Sequence, residues 1–128
     1  MIQKQVRLSK VSKDRLSRMK GKTGIQNWNI LCRWAICLSL AELTQPAAET
    51  QSTDSNVEMT WHVFGGEFHE IYEALIKQRC INDGLGTDKE TLQRQFKLHL
   101  ARGISYLSAT GYVRSLDELF VRATAKVQ

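Results

Sequence analysis

A mainly α fold is predicted, as a compact helical single domain over residues 1–128 with a short N-terminal strand, and three features of the chain predict it. Apolar residues recur at helical spacing through 30–41, 68–80 and 92–107, while strict alternation is confined to residues 5–9. Residues suited to helix N-caps, Ser12, Thr87 and Ser115, stand ahead of helical stretches. One proline and 42% hydrophobic residues in 128 suit a single core able to bury roughly two-thirds of the unfolded surface.

From the N-terminus, Gln5 to Ser9 alternates, with Val6 and Leu8 on one side and Arg7 on the other, which predicts a short strand in need of a partner. Ser12 reads as the cap of a first helix, with Val11 stapled onto Leu16 and an end at the Gly21 to Gly24 turn. Leu16 and Met19 give this helix a narrow apolar seam, flanked by Lys13 and Lys20 on one side and Arg15, Arg18 and Lys22 on the other. Ile30 to Ala41 is apolar nearly all round and reads as a buried or interface helix. A chain this small can scarcely enclose such a helix alone, so self-association is expected. An unpaired buried guanidinium is costly, so Arg33 should find a carboxylate, Glu67 or Glu70 being candidates. Strand, helix and buried helix together give the first 43 residues a ribbon-helix-helix-like start.

Thr44 to Asn56 is Gln, Thr, Ser, Ala and acids around Pro46, a composition that predicts a mobile loop. Met59 to Phe64 suits a short strand or extended lead-in that Gly65 and Gly66 break. Phe68, Ile71, Tyr72, Leu75, Ile76 and Cys80 then define the apolar stripe of a helix ending within Asn82 to Gly86. Thr87 and Glu90 form a capping box for a long helix carrying Leu92, Phe96, Leu100, Ile104 and Leu107 and stopping near Gly111. Ser115 with Glu118 opens a last short one.

Charge is segregated along the chain. Residues 1–35 hold nine Lys/Arg against one Asp, residues 36–73 hold seven acids and no Lys/Arg, and the remainder carries a net +4 within an overall +5. Nine bases against one acid cannot be absorbed by helix-surface pairing, and like charges so close repel unless a polyanion neutralises them. Lys4, Arg7, Lys10, Lys13, Arg15, Arg18, Lys20 and Lys22 are therefore the candidate nucleic-acid contacts, acting on phosphate oxygens with little sequence reading and a steep salt dependence.

Three cysteines, Cys32, Cys37 and Cys80, are an odd number, and the first two fall in an apolar run, so reduced buried thiols and a cytoplasmic location are expected. The basic N-terminus lacks a following apolar stretch with a cleavage site, and no window reaches bilayer length, so secretion and membrane spanning are not expected.

Other constellations carry less. Gly21, Lys22 and Thr23 look like the end of a phosphate-binding loop, but that loop needs a glycine where Leu16 stands and a strand where this chain has a helix. What remains is a phosphate contact from outward backbone N–H groups beside Lys22, or a plain turn between helices. His62, Glu67, His69 and Glu70 lack a metal-ligand spacing and read as a solvated face. His99 interrupts an apolar stripe and reads as a satisfied core or interface histidine. Among the tryptophans Trp34 reads as core, Trp61 is a further stacking candidate, and Trp28 is the least committed to packing and free to stack on bases.

Ordered blocks of residues also carry a family likeness. Arg7-Leu8-Ser9, Asp14-Arg15-Leu16, Lys20-Gly21, Thr23-Gly24-Ile25, Asn29 to Arg33 and Cys37 to Leu40 resemble DndE, the small DNA sulfur modification family. So do Gly66-Glu67, Ile71-Tyr72, Leu75 to Arg79, His99-Leu100, Arg102 to Ile104 and Tyr106-Leu107, leaving out only the 44–56 loop and the extreme C-terminus. The resemblance implies a compact helical tetramer that binds double-stranded DNA, nicked DNA by preference, through surface lysines. It further implies a place in bacterial phosphorothioation, where a cysteine desulfurase, an ATP-pyrophosphatase-like protein and an ATPase act with this subunit. By position it carries over Lys13, Arg15, Lys20 and Lys22, and it departs at Trp28, where a proline would start the buried helix. No cofactor or catalytic residue is expected on this reading. Two others stay open: a ribbon-helix-helix regulator reading bases through Lys4 or Arg7, and a nicking nuclease or sulfur-handling enzyme using His62, Glu67 and His69 or a cysteine.

Overall fold

The computed structural model describes residues 1–109, 112 and 115–125. Its elements run β1 (Gln5–Arg7), α1 (Lys10–Thr23), α2 (Trp28–Ala41), β2 (Glu58–Thr60), α3 (Trp61–Gly65), a 3-10 turn (Gly66–Phe68), α4 (His69–Asn82), α5 (Lys89–Leu107) and α6 (Leu116–Ala125). The chain is mainly helical with one small sheet, as the periodicity predicts. The predicted stop near Gly111 lies outside the described residues, within which α5 ends at Leu107.

Helix α5 is the axis of the core. Leu92, Phe96, Leu100, Ile104 and Leu107 are buried along it as their spacing predicts, and Trp61, Phe64 and Phe96 form an aromatic cluster with ring centroids 5.1 to 5.2 Å apart. Helix α2 lies against α5 so closely that a Cβ at Gly103 would stand 1.7 Å from the Ala35 carbonyl oxygen. Only the missing side chain permits that approach.

Strand β1 finds its partner inside the chain, pairing antiparallel with β2 in the register Gln5↔Thr60, Val6↔Met59, Arg7↔Glu58. Val6, Leu8 and Met59 point inward and Arg7 outward, so the alternation read correctly. The following helix starts three residues earlier than its sequence cap suggested. Leu8 is already buried, the chain must turn at Ser9, and the Ser9 hydroxyl accepts the Ser12 N–H at 3.1 Å. Val11 is consequently exposed and staples nothing, while Asp54 adds a second cap by accepting the Lys10 N–H at 2.8 Å. That backbone bond holds the Asp54 carboxyl below its usual range. A one-residue slip of the same kind opens α5. Asp88, in place of Thr87, accepts both the Thr91 N–H and its hydroxyl, a carboxylate being favoured at the positive end of a helix. Ser115 caps α6 as predicted, its hydroxyl accepting the Glu118 N–H at 3.2 Å.

Helix α2 is enclosed largely by its own chain, with Leu31, Cys32, Ala35, Ile36 and Ser39 buried, so its apolar character is not what demands a second copy. Cys37, expected inside, is exposed. The apolar stripe of α4 is only half used: Ile76 and Cys80 are buried, but Phe68, Ile71 and Leu75 are exposed.

Among the described residues Arg33 does not meet a carboxylate. Its guanidinium donates to the carbonyls of Phe64 and Val63, the latter at 3.1 Å, tying α2 to α3, and Glu67 and Glu70 stay exposed. The arginine that burial does pair is Arg79, whose Nε lies 2.9 Å from Asp83 with both side chains 10% exposed. Arg79 and Arg102 together close the C-terminus of α2. Arg79 donates to the Leu40 and Thr44 carbonyls at 3.1 and 2.6 Å, and Arg102 to those of Ser39 and Thr44, both at 2.8 Å. The last turn of α2 has no base of its own, so two guanidiniums from α4 and α5 meet its negative end.

The same junction holds a histidine: Arg102 Nε donates to the Ser39 hydroxyl at 2.8 Å, that hydroxyl shares a hydrogen bond with His99 Nδ1, also at 2.8 Å, and among the described residues His99 Nε2 is buried with no partner. The histidine is thus satisfied on one nitrogen only. Burial, then the charges of Arg79 and Arg102, push its pKa down to about 4. The unfolded chain therefore binds the proton more tightly, and the stability this neutral ring contributes is complete above about pH 6.5 and lost as pH falls towards 4. Thermal melts should show a loss on the order of 2–3 kcal/mol across that window, and a His99→Gln variant a flatter profile. An unchanged profile in the variant would remove His99 as the cause.

Candidate nucleic-acid interface

Helix α1 turns only Ser12, Leu16, Met19 and Thr23 inward, a seam one residue wide at each turn. Everything else on it faces outward, and that remainder holds six Lys/Arg and a single acid, Asp14. Lys10, Arg18 and Lys22 are exposed, and Lys13, Arg15 and Lys20 are half-buried. Lys4 and Arg7 extend the same end of the molecule through β1, and both are exposed.

Two of the three partly covered cations have a local contact that leaves their charge unpaired among the described residues, and the third lines a groove. Lys13 donates to the side-chain oxygen of Asn56 at 2.6 Å. Lys20 places its ammonium 3.5 Å from the centroid of the Trp28 ring. Arg15 faces a groove shared with Pro46, Glu49, Leu98 and Arg102. Of the eight sequence-predicted residues only Arg7 is in an ion pair among the described residues, with Glu58 at 2.6 Å.

The chain also brings up a cation that sequence reading passed over. Lys97 of α5 is exposed and lines a shallow groove with Arg7, Gln3, Gln5, Thr53 and Gln93. It lies in the mixed-charge third of the sequence, and only the packing of α5 under β1 sets it beside the basic segment.

Other candidates do not assemble into a site. The Gly21 to Gly24 segment makes no anion cradle: α1 runs through Gly21 to Thr23, and Gly24 is its left-handed cap at φ 76°. The Gly24 N–H is spent on the Lys20 carbonyl and the Ile25 N–H on the buried Thr23 hydroxyl. The His62 and His69 rings lie against each other with centroids 4.1 Å apart and planes tilted by 48°, and no cluster of metal-ligating side chains forms among the described residues. Burial pushes the Cys32 thiol up to about 12 and raises Cys37 and Cys80 as well, which keeps these sulfurs protonated at neutral pH. Trp61 is fully buried and Trp34 packs edge-on to Phe120 at 6.1 Å, so Trp28 alone stays beside the cations. No helix among the described residues is long and apolar enough to cross a membrane.

Fold and surface together define a small helical protein whose first helix concentrates positive charge that no carboxylate among the described residues pairs. The family profile described as DNA sulphur modification protein DndE matches residues 5–115, and the chain belongs to that family. No curated protein matches it significantly. Among solved structures it is similar to DndE from Escherichia coli B7A, described as involved in DNA phosphorothioation modification, at 23% identity and a TM-score of 0.70 over 84% of this chain and 98% of that one. It is also similar to a DndE mutant, involved in DNA phosphorothioation, with two glycines replaced by lysine, at 18% identity and a TM-score of 0.63 over 82% of this chain and 98% of that one. At these identities the two likenesses bear on the fold.

Proposed function

We propose that the chain is a non-catalytic, DNA-engaging subunit of a phosphorothioation complex, holding the backbone of double-stranded DNA, nicked duplex included, through Lys4, Arg7, Lys10, Lys13, Arg15, Arg18, Lys20 and Lys22. One observation carries the reading: among the described residues, no carboxylate comes within ion-pair distance of any of the six cations on α1. Such a surface repels itself in isolation and is relieved by phosphates and the release of their counter-ions. Family membership supplies the setting, DNA sulfur modification, and action beside ATP-using subunits in the cytoplasm is part of the same proposal.

Self-association, as a tetramer, belongs to the same reading. Its support is the row formed by Phe68, at the end of the 3-10 turn, with Ile71 and Leu75 on α4, each more than 40% exposed and spaced to share one face. An Ile71→Asp variant should run as a smaller species than wild type in light scattering. Equal masses would take this face out of the assembly.

A ribbon-helix-helix regulator would pair β1 with the β1 of a second copy, whereas β1 here already pairs with β2 of its own chain. Gel shifts of intact duplex, nicked duplex and single strand, in two unrelated sequences and at two salt concentrations, test the proposal. Duplex binding indifferent to sequence and falling steeply with salt is expected. Binding confined to one sequence, or untouched by salt, would contradict it.

A further inference from the structure

We infer that Trp28, with Lys20 and Lys13, forms a stacking site for an unpaired nucleobase, which rests on the DNA-engaging reading above and adds to it recognition of a base that has left the helical stack. The indole opens α2 and is only half-buried, packed at the margin of the core. One face of the ring is covered by a mobile cation in place of a core side chain, the Lys20 ammonium standing 3.5 Å from its centroid. Trp61 and Trp34 present no such face, the first being sealed in the aromatic cluster and the second set against Phe120.

Next to the ring is an open groove of about 310 Å³ lined by Lys13, Trp28, Asn56, Val57 and Glu58. An unpaired base offers a flat π-surface, a polar edge and flanking phosphates, and the groove has a counterpart for each. Trp28 supplies the platform. Asn56, whose oxygen is occupied by Lys13, keeps its amide N–H groups for a base edge. Lys13 and Lys20 supply charge for the phosphates on either side. Glu58 would repel a nucleotide if free, but its carboxylate is paired with Arg7 at 2.6 Å. Asn27 makes no side-chain cap, so the first N–H groups of α2 add the positive end of a 14-residue helix next to the indole.

In this arrangement Lys20 holds the place of the base. When a nucleotide arrives, the ammonium moves from ring to phosphate and the base takes its position over the indole, so the ring is never left bare and the charge stays at the site. A base inside an intact duplex has both faces covered by its neighbours and cannot make the exchange.

Fluorescence anisotropy with three probes tests this: an intact duplex, the same duplex with a one-nucleotide gap, and oligo-dT. Trp28→Leu, which keeps apolar bulk against the core, should lose roughly tenfold on the gapped and single-stranded probes and stay within about twofold on the intact duplex, and Trp28→Phe should retain most of the binding. Equal losses on all three probes, or none on the gapped one, would overturn the inference while leaving backbone binding in place. Wild-type protein that binds none of the three overturns both readings. A readout independent of the leucine variant is indole emission in a Trp34→Phe background, where oligo-dT should quench Trp28 because Trp61 is sealed. Unchanged emission at saturating oligo-dT would also overturn the inference.

Discussion

Replacing Gly103 with alanine should destabilise the fold by at least about 3 kcal/mol, or roughly 10 °C in melting temperature. The added Cβ would lie 1.7 Å from the Ala35 carbonyl oxygen and 2.3 Å from its carbon, and both atoms are helix backbone. A flexible side chain could swing aside, but a carbonyl inside α2 cannot without breaking the hydrogen-bond ladder around it. The helix must instead lift off α5, which unpacks Ala35 and strains the Ser39 to His99 contact one turn further on. Gly21 is the internal control: a Cβ there meets nothing within 4 Å in a helical segment, so alanine should stabilise by about 0.5–1 kcal/mol. Chemical denaturation of the two variants side by side decides the matter. A Gly103→Ala protein as stable as wild type would mean the two helices do not meet as described.

Reversing two charges on α1, Lys13→Glu with Lys20→Glu, should weaken duplex binding by about a hundredfold near 0.1 M salt and lower the steepness of the log-affinity against log-salt plot by about two. Both ammonium groups end at the surface, one on Asn56 and the other over Trp28, so the substitutions change the field of the helix while leaving its Leu16 and Met19 seam untouched. Loss of phosphate contacts is blind to base identity, and unrelated duplexes should suffer alike. A variant with an unaltered salt slope would remove Lys13 and Lys20 from the interface.

Much of the fold was legible because it is written in local periodicity. The alternation of Val6 and Leu8, the seam of Leu16 and Met19 and the stripe from Leu92 to Leu107 are patterns within one element, and all of them are buried as read. Errors came where a distant partner decides. Ser12 and Thr87 are good caps on paper, yet the turn forced by buried Leu8 and the stronger acceptor at Asp88 placed the helix starts elsewhere. Arg33 was assigned a carboxylate on the general cost of burying charge, but two carbonyls of α3 serve it, and nothing in local sequence announces that α3 passes there. The cationic helix was readable from charge segregation alone. Lys97 was not, since its neighbour Arg7 is ninety residues away in sequence and adjacent only after folding.

The irregular segment between α2 and β2 begins and ends under restraint. At its start the Thr44 carbonyl is gripped by Arg79 and Arg102, and at its end Asp54, Ser55 and Asn56 are bound to Lys10, Leu8 and Lys13. With both ends clamped, added length in the middle is taken up at the surface, where lengthening a loop costs only about 0.6 kcal/mol per doubling. The stretch around Glu49 to Ser52 is thus where this polypeptide can accommodate spliced-in residues, whether an epitope for purification or an evolutionary insertion, while its packed architecture stays as it is.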